Sequence, residues 1–524
     1  MLNTTTMRHR LFIFDILIVC SIFLYGQDNI LISSKQVSNS AEKTNDILRR
    51  NVTYTSIEFV DFNLNKILEY DDFSIQLGER NIPIRKERID ARGINNYVFV
   101  GSNNEGYRVL ISVLGDDIQG VIETDKNVYT IETVGKQQYA LITVDDTLLR
   151  EACDDLREEN DRSSLDGVNR LNHDSDIEIG DDITSPPILR SAAAYDCKIR
   201  VLVLYTPSAQ TMVSNIKNTV LTAVAFANQS FVNSQINYQI ELVYAGQTNY
   251  TESGDTHIDL SYFRGIGDGF MDEVHTLRNK YSADVCVLLI NDTIYCGLAT
   301  GIGVTEDKAF CVVSAFGTCA TTNYSFGHEI GHLLGCDHDP LNESPNNLFT
   351  YSHGYVNPSK TWRTIMAYKP ENIDNCPRLR CWSNPNVTHE GEPVGTTATH
   401  NNARVWNERS NTVMSFRQPD NNVTFTSSDM PNTQYADVIA KQNITTSGTV
   451  NVNNGNTLKM RAGNSINLQP GFSVQTGAEF SAEIEEIDDC EECASKIRVQ
   501  NVPEEYDDMT SHRAEMNIEN GEIN

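Results

Sequence analysis

The stretch that most constrains this chain is GHEIGHLLGCDHD, residues 327–339. Three of the 11 histidines fall within it, with a glutamate directly after the first. On a helix, His328 and His332 lie four residues apart and so share one face, one turn above the other. Both imidazoles can then reach a single zinc ion at ~2.0–2.1 Å. Glu329, beside the first ligand, can project toward the metal's open position and accept a proton from water there. Gly335 is where the helix can end, because glycine takes the left-handed conformation at little cost. The chain can then turn and bring His338 to the metal from outside the helix. Each position of HExxHxxGxxH thus has its own physical task. HExxH alone would arise by chance in about one or two such chains per hundred, and the full pattern in a few per hundred thousand. His257, His275, His353, His389 and His400 occur singly and read as ordinary structural histidines.

The rest of the chain divides around this stretch. Arg8 and Arg10 precede the apolar run LFIFDILIVCSIFLYG, which reads as a secretory signal peptide over residues 1–27. An exported, secreted protein is expected, with retention at the cell surface left open. Residues 28–155 alternate in short runs such as YVFVG, YRVLISV and YALITV, the pattern of a β-rich domain. An acidic, Pro-Pro-ended stretch at 156–194 reads as a flexible, cleavable linker, with Arg190 as a processing point. From 195 to 417, strand, helix, strand, helix, strand follow in order, which indicates an α/β domain with a mostly parallel sheet. Residues 418–486 repeat short alternating strands separated by glycines and are expected to form a small all-β module, a solenoid or a sandwich. An acidic tail occupies 487–524.

Charge and cysteine content narrow the classes further. A formal net charge of −30 argues against nucleic acid as the main partner, since phosphate recognition needs a basic surface. No stretch after the leader is long and apolar enough to span a membrane. Of the 12 cysteines, eight (Cys197, Cys286, Cys296, Cys311, Cys319, Cys336, Cys376 and Cys381) cluster in 197–381. In an oxidising compartment that even set predicts up to four disulfides, in a pairing the sequence leaves open. Cys490 and Cys493 form a terminal CxxC, and Cys153 is the odd one left over.

Several segments together carry a family resemblance. Downstream of the histidines, WRTIMAYK places Met366 in a short apolar run, and Asp339 directly follows the third histidine. With VLVLYTPSA, CGLATGIG, SFGHEIGHLLG and the 382–407 segment, the chain resembles the metzincins, and within them secreted bacterial peptidases of the reprolysin-like (adamalysin) branch. The resemblance covers roughly 195–417. It implies a catalytic domain with a mixed twisted sheet, long helices, an active-site helix and a methionine turn, preceded by a propeptide and followed by the β-repeat module. It implies one catalytic zinc held by His328, His332 and His338, Glu329 as general base, and Met366 beneath the site. Gly297, Leu298 and Ala299 would lie on an edge strand to which extended peptide substrates add by backbone hydrogen bonds. The expected activity is that of a zinc metalloendopeptidase acting on extracellular proteins as a monomer, made latent by its own N-terminal domain.

Some roles stay open at this level. Tyr368, two residues after Met366, has the spacing of a tyrosine that approaches zinc in other metzincin branches, and equally that of a packing residue. Cys153 either supplies a thiolate to the metal as a cysteine switch or pairs with another cysteine. A structural calcium is undecided. The competing functional class is a surface adhesion protein built on an inactive protease scaffold. The intact His328, Glu329, His332 and His338 favour the enzyme.

Overall fold

Alternation of side chains closes the N-terminal strands into a barrel. Nine strands run from Asn29–Ser33 to Gln138–Val144, and the first pairs with both Tyr54–Phe62 and Asp72–Leu77 to complete the ring. In the strand Asn96–Ser102, Tyr97 and Phe99 join Val109, Ile111 and Ile122 in the barrel's core. Val98 and Val100 point the other way. With Leu110 and Val121 they merge into the core that contains the helix Ile216–Asn233. A barrel strand buried on both faces is therefore a docking surface. The polar groups at this contact are paired: Asn218 donates to Asp117 at 2.7 Å, Ser112 to Asn218 at 2.8 Å and Gln119 to Thr219 at 3.0 Å.

This computed structural model describes residues 29–33, 44, 47–48, 53–93, 96–124, 127–145, 198–344, 347–373, 376–430 and 433–487. The expected leader, the 156–194 linker, the tail beyond 487, Cys153, Arg190, Cys197, Cys490 and Cys493 lie outside the described residues. No described helix is long and apolar enough to cross a membrane.

The strands Lys198–Tyr205, Gln239–Gln247, Val285–Ile290 and Phe310–Ser314 are parallel neighbours, apolar nearly throughout because helices cover both faces. One face carries the long helix Ile216–Asn233, the helix Ser325–Leu334 and the helix Asn402–Met414. The other carries Thr256–Arg264 and Glu273–Lys280. Gly297–Ala299 runs antiparallel to Phe310–Ser314 and forms one edge of the sheet.

The opposite edge is not bare. Thr433–Ala440 pairs antiparallel with Gln239–Gln247, and Thr457–Ala462 and Glu479–Ile484 follow in parallel, giving eight strands in one sheet. Val438, Met460 and Ala482 sit side by side on successive rungs. The strands Asn422–Thr426, Asn443–Ser447 and Ser465–Asn467 stack in parallel on a second face of the same coil. The coil thus hangs from the sheet that carries the site helix. Arg461 fastens it, reaching Asp437 at 2.9 Å, Glu241 at 2.8 Å and Glu485 at 3.3 Å. Burial alone would raise the Glu241 pKa, but Arg461 and Lys198 outweigh it and hold this carboxyl well below the usual range.

The cysteines depart from the four-disulfide expectation. Among the described residues one disulfide is formed, Cys296–Cys319, while Cys286, Cys311, Cys336, Cys376 and Cys381 are buried free thiols. Cys286 and Cys311 lie on neighbouring strands but belong to the cores on opposite faces of the sheet, so their sulfurs cannot meet. Cys376 and Cys381 flank an extended stretch paired with 363–365. Five residues of extended chain separate Cα atoms by far more than the ~7 Å limit of a disulfide. Burial pushes these five thiols up, which favours the inert protonated form.

Replacing Arg461 with methionine should leave Glu241 and Asp437 without their common partner. The expected loss is about 2–3 kcal/mol, after allowing for the partial exposure of the cluster. A thermal melt of the full chain against the variant checks this, and an unchanged midpoint would show that the coil is not fastened there.

Candidate metal centre

The helix Ser325–Leu334 has unusual ends. Tyr324, just before it, adopts φ 61°, and Gly335, just after it, φ 121°. The second value is one that a side chain would strain, so glycine stops the helix and lets the chain reverse. Asp337 then donates its N–H to Ser352 O at 2.8 Å, and its carboxylate accepts from the N–H of His338 at 2.8 Å and of Ser344 at 3.2 Å. That turn carries His338 back over the helix.

The three imidazoles meet. His328 Nε2 lies 3.1 Å from His332 Nε2 and 3.2 Å from His338 Nε2, and the last two are 3.1 Å apart. Each ring is held from behind by a backbone carbonyl on its Nδ1: Ile365 O for His328 at 3.1 Å, Cys336 O for His332 at 2.9 Å and Asn342 O for His338 at 3.2 Å. A carbonyl accepts, so each Nδ1 carries the proton and each Nε2 presents a lone pair. Burial and the neighbouring rings push His328 and His338 well below the ordinary histidine pKa, and burial brings His332 down to about 4. All three are therefore neutral at pH 7.

Three lone pairs facing one another at this distance repel unless a cation sits between them. Tetrahedral zinc with bonds of ~2.0–2.1 Å requires nitrogens roughly 3.3–3.4 Å apart, close to what the cradle offers. No other group of three or more His, Cys, Asp or Glu side chains converges in this way among the described residues. His353, His389, His400, His257 and His275 stand outside it, although His353 Nδ1 donates to His338 O at 2.9 Å and so braces the third ligand's turn.

Glu329 is buried against the edge strand. A Cβ at Gly297 would lie 2.5 Å from Glu329 Oε1 and 2.6 Å from its Cγ, so the bare glycine makes the space that this side chain fills. Leu298 and Ala299 continue the strand, with Leu298 and Ala299 facing Val312 and Cys311. Met366 is fully buried under the helix, its Sδ 3.4 Å from where a Cβ on Gly331 would stand. Asp339 accepts from Tyr368 N at 2.9 Å and from Asn342 Nδ2 at 3.1 Å, tying the Met366 segment to the His338 turn. The Tyr368 ring lies on the face of His338 with centroids 4.3 Å apart.

Sequence reasoning missed two supports. Gly331, an unspecified position in HExxH, needs to be small because a Cβ there would approach Trp382 to 2.7 Å. Trp382 itself is anchored by Nε1–H donation to Ser230 Oγ at 2.8 Å on the long helix. Only the three-dimensional crossing of these elements reveals either requirement.

Residues 195–383 match the metallopeptidase family M12 model termed Reprolysin_5. Over 321 residues the chain is 39% identical to a peptidyl-Asp metalloendopeptidase of Stenotrophomonas maltophilia strain K279a, covering 60% of this chain and 72% of that protein. The chain belongs to metallopeptidase family M12. A peptidyl-Asp metalloendopeptidase of Xanthomonas campestris pv. campestris is 44% identical over 220 residues, 42% of this chain and 52% of that one. One of Pseudomonas fragi is 36% identical over 192 residues, which is 36% of this chain and 99% of its own length. This M12 peptidase is a zinc metalloendopeptidase, and the histidine cradle is the group suited to its metal.

The packing of Glu329 on Gly297 gives a direct test. Gly297→Ala should keep the zinc content of the wild type yet lower kcat by about 10²-fold, the scale expected when an ionisable side chain beside the metal cradle is displaced. Metal analysis beside peptide-cleavage kinetics reads both, and an unaltered kcat would show that Glu329 does not depend on this contact.

Proposed function

We propose that this peptidase cleaves extended protein segments beside an aspartate, using water activated at the histidine cradle with Glu329 as general base. The observation that carries this reading is the convergence of three Nε2 lone pairs next to a buried glutamate, itself pressed against the edge strand of the sheet. The aspartate preference is carried over from the relatives, all peptidyl-Asp metalloendopeptidases by name.

His328, His332 and His338 would hold the zinc, leaving one side of it free for water and substrate. When bound, the metal polarises the scissile carbonyl and makes the attacking water more acidic. Glu329 accepts the water's proton as attack begins and delivers it to the departing amine. The backbone of Gly297–Ala299, at the edge of the sheet, orients the substrate by adding it as a further antiparallel strand, which fixes the reacting carbonyl relative to Glu329. Met366 and the Tyr368 ring keep the ligand cage in place by packing, and Asp339 locks the His338 turn to them.

Export and latency complete the proposal. The leader directs the chain out of the cell, and the barrel, joined through the 156–194 stretch, acts as a propeptide that keeps the peptidase silent until that stretch is cut. Its contact with the long helix and with the start of the site helix supports this role. Cys153 is positioned in the sequence between barrel and linker, where a thiolate could be offered to the metal.

Two outcomes follow. Glu329→Gln should bind zinc normally and lose at least about 10²-fold in peptide cleavage, while a chelator should abolish wild-type activity and added zinc restore it. Near-full activity of Glu329→Gln would sink the general-base assignment. Cys153→Ala should shorten the latency of the uncleaved chain, measured as peptide cleavage before processing, and unchanged latency removes the thiolate from the mechanism.

A further inference from the structure

Among the described residues the one disulfide, Cys296–Cys319, stands beside the site. Cys296 directly precedes the edge strand Gly297–Ala299, and Cys319 lies in the loop that leads into the helix carrying His328 and His332. Both are buried.

The edge strand has two separate sets of attachments. Hydrogen bonds hold it in the sheet: it runs antiparallel to Phe310–Ser314, and Ser314 N–H donates to Cys296 O at 2.9 Å. Other contacts hold it against the site helix. Beyond its far end, Gly303 N–H donates to His332 O at 2.8 Å and Val304 N–H to Leu333 O at 3.0 Å, which satisfies carbonyls of the helix's last turn. At its start the tie is the bridge, whose second half also caps the helix: Ser325 N–H donates to Cys319 O at 3.0 Å. Asn323 closes the corner, sending Nδ2 to Cys296 Sγ at 3.3 Å and to Ser325 Oγ at 3.2 Å. The strand is thus slung along the helix and tied at both ends.

Glu329 lies between the two ties, filling the space left by Gly297, the residue next to Cys296. A strand of three residues has a short ladder of its own with which to keep that contact. The metal ligands are held independently of it. Their rings rest on the carbonyls of Ile365, Cys336 and Asn342, none of which belongs to the edge strand or to the loop before the helix. Releasing the start of the strand would therefore shift Gly297 relative to Glu329 and leave the histidine cradle in place.

We infer that the Cys296–Cys319 bridge is a positioning clamp, which sets the edge strand against the site helix so that a substrate added to Gly297–Ala299 meets Glu329 in register. It acts through the strand and touches neither substrate nor metal. The inference rests on the strand addition proposed above. A disulfide that only restricts the unfolded chain would, when lost, weaken cleavage of every peptide alike. Loss of a clamp removes the advantage of those peptides that can hydrogen-bond to the strand.

The test uses activated protein made from the full chain, an extended peptide and two analogues methylated at successive backbone nitrogens beside the scissile bond. Backbone N–H groups point alternately toward and away from a neighbouring strand, so one methyl removes a hydrogen bond to the edge strand and the other does not. The wild type should lose about 10-fold in kcat/KM on one analogue, mainly through KM, and stay near the parent value on the other. Cys296→Ala combined with Cys319→Ala should keep its zinc by metal analysis, cleave the parent peptide about 10-fold less well, and separate the analogues by less than about 2-fold. Cys296→Ala combined with Cys319→Val, which refills the volume of the sulfurs, should behave likewise and is the second variant if the first does not fold. A wild-type separation of the analogues that persists in either zinc-loaded variant overturns the clamp alone. Failure of both variants to fold also overturns it, because the bridge is then a staple of the whole domain. Equal cleavage of the two analogues by the wild type overturns strand addition and this inference with it.

Discussion

Everything around the centre serves to hold three lone pairs where they repel one another. The Nε2 atoms of His328, His332 and His338 stand 3.1–3.2 Å apart, and that arrangement persists because three backbone carbonyls fix the tautomers from outside. None of these carbonyls is in the same structural setting. One comes from the stretch ending at Met366, one from the turn after Gly335, and one from the loop stabilised by Asp337 and Asp339. The cage is thus sensitive to the Met366 stretch, the helix stop and the His338 turn together, which explains why so many residues near it are small, buried or doubly bonded. Outer contacts of this sort set ligand orientation as much as the ligands do.

What could be read in advance was whatever depends on local spacing. The four-residue step from His328 to His332, the glycine three further on, and His338 after it are consequences of helix geometry, and they come together as the spacing implies. The three strands of the central strand–helix–strand–helix–strand order were legible because buried parallel strands are apolar runs. Contacts between distant segments were not. Gly297 has no local peculiarity that shows it must accommodate Glu329, and Gly331 looks interchangeable until Trp382 is seen across from it. The cysteines failed for a related reason: their number suggested bridges, but whether two sulfurs meet depends on which face of the sheet each occupies. Cys286 and Cys311 are adjacent in the sheet and still on opposite sides.

The barrel illustrates how much of a two-sided strand is hidden from pattern reading. Alternating runs indicated strands with one apolar face. In Asn96–Ser102 both faces are apolar because the outer one meets the helix Ile216–Asn233, so that helix lies between the sheet and the barrel. The same barrel sends Glu123 to Arg380 and to Tyr324, the residue at the left-handed turn that opens the site helix. A domain outside the family match is in this way coupled to the first turn of the helix that carries His328 and His332.

The strands beyond 417 carry a different implication. They complete the side of the sheet that Gln239–Gln247 would otherwise present, a row of unsatisfied N–H and C=O groups. The matched region ends at residue 383, before the helix Asn402–Met414 and before any of these strands. A fragment cut to that region would keep His328, His332 and His338 and lose what shields its far margin. Such a fragment would be prone to recruit strands from other copies of itself, so one border of the sheet depends on strands beyond the matched region while the other packs against Glu329.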